Sequence, residues 1–384
     1  MFLTLEPLRI GIDARAAAEV PAGRGRVVRE LLRALSAQPH DRHRYLLYAR
    51  RACPELELDE RFSWRLIGAR DPRWHSLAGR DASRDCDAFL ASNSYLSSLL
   101  TRIPTVTIVY DLTTFERSMR PNRRSSVIER LTLGPAVRRS KRLLAISQAT
   151  ADALGQRFPA ARGRTVVAPL GVSPTLSDEP AANGAPLPDP GFVLAVGTLE
   201  PRKNLPRLVA AYSTLDRELQ ESHPLVVVGA LGWQTGETLE ALRGLGDRAT
   251  VLGYVSDGAL AEMYRRCSVF CYPSLGEGFG LPVLEAMAAG AAVLTSRISS
   301  LPEVGGDAVE YVDPHDVPSI AGGLRTLLED DPHRAELARR GAERAREFSW
   351  SRFATTVLGA LDEAAGASLD AETIGALEQP GTLL

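Results

Sequence analysis

Twelve short apolar runs, each followed by a stretch of helical periodicity, constrain this chain more than any other feature of it. Six come first: LRIGID (8–13), RYLLYA (44–49), DAFLAS (87–92), TVTIVY (105–110), RLLAIS (142–147) and TVVAPL (165–170). Six more follow a gap: FVLAVGT (192–198), LVVVGA (225–230), TVLGY (250–254), SVFCYPS (268–274), AAVLTS (291–296) and EYV (310–312). Runs this apolar read as parallel strands covered on both faces, because a strand with one wet face would alternate. Their alternation with helices predicts an α/β chain with two doubly wound parallel sheets. Between the series, GVSPTLSDEPAANGAPLPDPG (171–191) carries five prolines and hardly any large apolar side chain, which is linker chemistry. The expected organisation is a first unit over 1–172, a linker over 173–190 and a second unit over 191–349. Helical patterns over 316–329 and 331–347 close the second unit; a further helix over 350–366 and a loosely held tail over 367–384 follow.

Charge and composition exclude several classes. The longest apolar stretch, Leu281 to Thr295, is broken by Glu285 and falls short of the ~18 uncharged residues a membrane span needs. The start, MFLTLEPLRIGID, lacks a basic region followed by a long apolar one, so no export signal is expected and the cytoplasm is the expected location. Cys53, Cys86, Cys267 and Cys271 fit neither a disulfide framework nor a paired zinc motif and read as buried small hydrophobes. The formal net charge is -2, but residues 1–178 hold 29 Arg and Lys against 18 Asp and Glu, while the remainder holds 16 against 29. A first half at +11 suggests an anionic partner such as a phosphorylated substrate, an acidic lipid surface or nucleic acid.

The most informative segment is PSLGEGFGLPVLE (273–285), which follows a strand and enters a helix. Pro282 suits a first helical turn, so Gly278, Phe279, Gly280 and Leu281 present backbone amides at a helix N-terminus, where the dipole favours an anion. Glu277 and Glu285 flank that cradle, and carboxylates accept hydrogen bonds from hydroxyls. A nucleotide sugar, with hydroxyls on either side of a diphosphate, satisfies the whole pattern. GTLEPRKNLPRL (197–208) begins where a strand ends, so Arg202 and Lys203 are expected to reach the same crevice and neutralise a diphosphate leaving group. From the first half, the loop at Gly23 and Gly25, the strand end Tyr110-Asp111, and Ser147-Gln148 are expected to face it. Asp85-Cys86-Asp87 resembles a metal-binding Asp-x-Asp pair, but Asp87 opens a strand and should lie at its amino end, away from ligands. No motif requires a metal, and the full glycine fingerprint of a nicotinamide-dependent oxidoreductase is missing.

On GTLEPRKN, VVVGALGW, LGYVSDGALAEMYRRC, YPSLGEGFGLPVLEAMAAG and TSRISSLPEVGGDAVEYVDPHD, in that order, the second half resembles the retaining glycosyltransferases of the GT4 family, which have the GT-B fold. GIDAR, GRGR, LLAISQAT and VAPLGV extend the resemblance through the first half. It implies two Rossmann-like domains facing a cleft, with the last helix crossing back to the first. It implies a nucleotide-sugar donor, a glycan or lipid-linked acceptor, and neither a metal, a resident cofactor nor a nucleic-acid partner. Glu277 would hold donor sugar hydroxyls and Glu285 the ribose, while Gly278 to Leu281, Arg202 and Lys203 would take the diphosphate. Gly253, Tyr254 and Val255 would line the nucleobase pocket, and the Gly23–Gly25 loop would close over the phosphates. The family usually has His-Asp where this chain has Tyr110-Asp111, so the residue expected to contact the donor sugar differs. A module of the same fold that binds a sugar nucleotide without turnover, and a UDP-glucose-type glucosyltransferase, are the alternatives to a mannosyltransferase.

Overall fold

A computed structural model describes residues 7–20, 23–38, 41–115, 123–172, 187–230, 232 and 235–366. Most of the expected linker and the whole expected tail lie outside these residues. Seven strands build the first sheet: β1 (Arg9–Asp13), β2 (Arg44–Ala49), β3 (Phe62–Leu66), β4 (Ala88–Ala91), β5 (Thr105–Val109), β6 (Arg142–Ala145) and β7 (Thr165–Val167). Six build the second: β8 (Val193–Val196), β9 (Leu225–Val228), β10 (Ala249–Gly253), β11 (Val269–Tyr272), β12 (Val293–Ser296) and β13 (Glu310–Val312). The strand orders are β3-β2-β1-β4-β5-β6-β7 and β10-β9-β8-β11-β12-β13, and neighbours pair in parallel throughout. The runs read as strands are strands, and β3 is an addition. It sits at the sheet edge with Phe62, Ser63, Trp64, Arg65 and Leu66 only partly covered, so its sequence lacks the continuous apolar signature.

The order reverses between β1 and β4 in the first sheet and between β8 and β11 in the second. Chains leaving the two strands at such a point diverge to opposite faces and leave a crevice at their carboxyl ends. The segments after β1, β5 and β6 meet those after β8, β11 and β12 across one cleft. Thr150 Oγ donates to the Gly278 carbonyl at 3.2 Å, and the Gln148 and Ala149 amides donate to Glu303 at 2.7 and 2.6 Å. The helix Trp350–Ala365 crosses back to the first sheet, where it packs on the helix Arg24–Ser36 and on β4, β5 and β6. Its apolar stripe, with Phe353, Val357 and Leu361 inaccessible to solvent, supplies the driving force. Gln38 bonds Ser351 and Arg142 bonds Glu363 at its edges. Cys53, Cys86 and Cys271 are buried, Cys267 is half-buried, and all four are free thiols.

Candidate active site

β11 ends at Tyr272, and the next five residues turn back on the carboxyl end of β8. The turn Pro201–Lys203 leaves β8 and ends at Asn204, whose φ of 60° is left-handed. Asn204 Nδ2 donates to the carbonyls of Pro273 and Pro314, at 3.0 and 2.7 Å. One buried amide thus locks the Arg202-Lys203 turn against the Pro273 loop. Glu277 is the centre of what results. Its Oε1 accepts from Lys203 Nζ at 2.8 Å, Tyr272 OH at 2.9 Å and Ser274 Oγ at 2.6 Å, and its Oε2 accepts from Arg202. Burial alone would push this carboxyl up, but Lys203 and Arg202 overcome it and hold the pKa at about 2. Burial lowers the Lys203 ammonium below its usual range, with Glu277 opposing. Arg202 also bonds the Gly276 carbonyl at 3.0 Å and pairs with Glu200 at 2.7 Å.

Beyond Glu277 the backbone is left free to donate. Gly280, at φ 110°, precedes the helix Leu281–Ala288 with no side-chain cap, and Pro282 sits in its first turn. Among the described residues, the amides of Gly278, Phe279, Gly280 and Leu281 find no protein acceptor. The loop is held from behind instead. Ser299 Oγ accepts from the Glu277 amide at 2.9 Å, and Ser300 Oγ serves the Glu277 and Phe279 carbonyls at 3.0 and 2.9 Å. The Phe279 ring packs edge-on against Phe348, away from the amides. Three serines, Ser274, Ser299 and Ser300, with Tyr272 and Asn204, were thus missed by sequence reasoning, although all five lie inside the quoted motifs.

Glu285, one helical turn further on, is buried and faces the first sheet. Arg26, from the helix Arg24–Ser36, crosses the cleft and pairs with both Glu285 and Asp257. Tyr264 OH donates to the second Glu285 oxygen at 3.3 Å. Burial raises the Glu285 carboxyl above its usual range despite Arg26. Arg26 was not singled out from the sequence; its position in GRGR, one turn inside a helix at a strand's carboxyl end, was the available signal. Gly253 ends β10, Tyr254 and Val255 lie in the loop leading to Asp257, and Tyr254 is 65% exposed.

The first-sheet residues divide. Gly23, at φ 55°, starts the helix at the cleft, but a Cβ on Gly25 would lie 1.7 Å from the Val20 carbonyl oxygen, so that glycine serves close helix packing. Asp111 accepts from the Thr113 amide at 2.9 Å and helps to raise the pKa of Arg202 across the cleft. Tyr110 turns away: its buried hydroxyl donates to the Ser92 carbonyl at 2.7 Å, inside the first sheet's core. Its backbone, not its ring, meets the cradle, since a Cβ on Gly278 would fall 2.0 Å from the Tyr110 oxygen. Asp87 lies at the amino end of β4, bonded to the Arg9 amide at 2.7 Å, on the far side from the cleft.

Two doubly wound parallel sheets that converge their carboxyl ends on one cleft, with a last helix returning to the first, define the GT-B architecture. Its structural neighbours agree. Sucrose-phosphate synthase from Thermosynechococcus elongatus superposes with a TM-score of 0.73 at 20% identity, over 94% of this chain and 100% of that one. Anabaena HepE in complex with UDP and glucose does so with a TM-score of 0.70 at 17% identity, over 93% and 100%. In sequence, the family described as glycosyl transferases group 1 matches residues 179–345, and glycosyltransferase family 4 matches residues 21–176. The chain belongs to this glycosyltransferase family. Over 176 residues it is 41% identical to the O-antigen chain mannosyltransferase B of Escherichia coli, a match covering 44% of this chain and 45% of that relative. The chain therefore spans less than half the length of this curated relative.

Proposed function

We propose that the chain transfers a hexosyl group, mannose first, from a nucleotide-diphosphate sugar to a glycan or lipid-linked acceptor, with retention at the anomeric carbon. The observation that carries this reading is the Glu277 cluster beside four free amides at the switch point of the second sheet. The amides of Gly278 to Leu281 take the diphosphate at a helix N-terminus. Arg202 and Lys203 lie within one side chain's reach of it and stabilise the charge that develops as the sugar departs. At a pKa of about 2, Glu277 stays ionised at neutral pH, so it orients the two cations and accepts from sugar hydroxyls rather than delivering a proton. Glu285 holds the ribose. The acceptor hydroxyl attacks the anomeric carbon from the face the diphosphate leaves: the glycosidic bond forms as the sugar–diphosphate bond breaks, and a diphosphate oxygen takes the acceptor's proton. Mannose is favoured by the 41% identity to an O-antigen mannosyltransferase. We place the reaction on the cytoplasmic side of a membrane, the side on which sugar nucleotides are made; among the described residues no helix is long and apolar enough to cross one.

A panel of nucleotide sugars offered with a mannan-type acceptor tests this, with the product's anomeric configuration assigned by NMR. GDP-mannose turnover giving an α-linked product is expected. Turnover of UDP-glucose with none of GDP-mannose overturns the donor, and nucleotide binding without transfer or hydrolysis of any donor overturns catalysis.

A further inference from the structure

Arg24, Arg26 and Arg202 all reach the cleft, and the hydrogen-bond donors each has already spent separate the first from the others. A guanidinium carries five N–H donors. Arg202 commits Nε and Nη2 to Glu200, and Nη1 to Glu277 and the Gly276 carbonyl. Arg26 is shared between Glu285 and Asp257. Arg24, the first residue of the helix Arg24–Ser36, makes one side-chain bond, from Nη2 to Glu129 at 2.7 Å. Among the described residues its other N–H groups meet no protein acceptor, and its side chain is 36% exposed.

Arg24 is held where those donors count. Its guanidinium carbon lies 5.2 Å from the centre of the Tyr110 ring, within the range of a cation–π contact. Tyr110 is pinned in turn through its hydroxyl to the Ser92 carbonyl. The carbonyl oxygen of the same tyrosine would lie 2.0 Å from a Cβ on Gly278. One residue therefore carries Arg24 on its ring and touches the amide cradle with its backbone. Burial opposes the charges of Arg24 and Arg202; Glu129 and Glu277 respectively overcome it, and Asp111 adds to both, so Asp111 faces the two guanidiniums from the first half.

The charge balance of the second half indicates what Arg24 is for. Arg202 and Lys203 are matched there by Glu277 and Glu200, and the amides of the cradle are neutral. A diphosphate seated on the cradle brings charge that this half answers chiefly with dipoles. A guanidinium with unspent donors is a group that phosphate oxygens favour. We propose that Arg24 completes the diphosphate site from the first half: its unspent N–H groups bond the phosphate that bears the sugar, and the Tyr110 ring is the platform that positions them. Arg24 is then a catalytic residue, because it touches the leaving group as negative charge builds there. Tyr110 is a positioning residue that acts through Arg24, and what it offers the cleft is its face, its hydroxyl being spent on Ser92. This deepens the donor reading above and rests on it.

Calorimetry on the full chain with GDP and GMP, and in parallel with UDP and UMP, isolates the phosphate that Arg24 holds. Arg24→Gln is expected to weaken the diphosphate at least about tenfold and the monophosphate less than about threefold, with Arg24→Lys recovering part of the loss. Glu129→Gln separates this from a structural role of the Arg24–Glu129 pair. It relieves Arg24 of its neutralising partner and is expected to bind the diphosphate at least as tightly as wild type. Tyr110→Leu is expected to weaken the diphosphate selectively, and Tyr110→Phe to restore it, because the ring supports the guanidinium. Unchanged diphosphate affinity in Arg24→Gln, equal weakening of diphosphate and monophosphate, or a loss in Glu129→Gln as large as that in Arg24→Gln overturns the proposal. If the wild type binds neither diphosphate, the donor reading falls and this proposal with it. If it binds one and Arg24→Gln binds it equally well, only the role of Arg24 falls.

Discussion

Replacing Glu277 by Gln removes one charge and almost no volume, so its effect isolates electrostatics. The wild-type carboxylate is held at about 2 against an ordinary 4.5, although it is fully buried. That gap corresponds to about 3 kcal/mol favouring the ionised, folded form. The amide forfeits it and leaves Arg202 and Lys203 buried with Glu200 as the carboxylate in ion-pair contact, and breaking a buried ion pair from one side costs about 3–5 kcal/mol. Urea denaturation at neutral pH should therefore find E277Q destabilised by about 3 kcal/mol or more. The sign with pH is fixed by the direction of the shift. A depressed carboxyl contributes fully above its unfolded pKa and loses that contribution as the pH falls through the folded one. The gap between wild type and E277Q should be flat near neutrality and should shrink between pH 4.5 and about 2. Transfer should fall by roughly a hundredfold or more in kcat, because the cations facing the diphosphate lose the group that aims them. A loss below about 1 kcal/mol, or a gap that persists unchanged into acid, would refute the view that Glu277 is the counter-charge of this cluster.

Two other substitutions probe the cleft. Arg26→Ala leaves the buried Glu285 with Tyr264 alone, and solution scattering should show a larger radius of gyration than wild type, together with a stability loss of about 3 kcal/mol; an unchanged radius would show that the pair does not hold the halves together. Gly278→Ala sets a methyl group 2.0 Å from the Tyr110 oxygen, on the opposite side of the cleft. It should cost at least about tenfold in kcat with little change in melting temperature, and wild-type kcat would mean that catalysis tolerates a wider cleft.

Much of this molecule was legible because buried parallel strands leave a one-dimensional trace. LVVVGA or TVTIVY can hardly be anything else, whereas FSWRL at the sheet edge, with Arg65 and Leu66 exposed, leaves no such trace and went unread. The cradle was legible for a local reason: glycines, Pro282 and two acids at a strand-to-helix turn have few other uses. What the sequence could not disclose is pairing through space. Arg202, Lys203 and Glu277 were each expected to meet a ligand, but the folded chain first makes them meet one another. Side-chain direction was equally hidden. Tyr110 stands where a sugar contact was expected, yet its hydroxyl is satisfied by Ser92, which no spacing rule encodes. Gly25 read as part of a phosphate loop and proves to be the point where two helices touch.

The two glutamates, eight residues apart and both buried, are driven in opposite directions, and that contrast assigns them different work. Glu277 has two cations and two hydroxyls within its own half of the molecule, so it is a fixed anion whatever the cleft does. Glu285 has a single tyrosine from its own half, and its cation is lent by the first sheet. Its carboxyl is correspondingly raised, and the charged form depends on how near Arg26 lies. On the function proposed above, a ribose hydroxyl arriving at Glu285 would either share it with Arg26 or displace the guanidinium toward the diphosphate. In both cases the energy of seating a nucleotide depends on the distance between the two halves, through one arginine. On that proposal donor binding and cleft closure would be linked by Arg26 and Glu285, while the ion-paired cluster around Glu277 is already assembled within one half of the molecule.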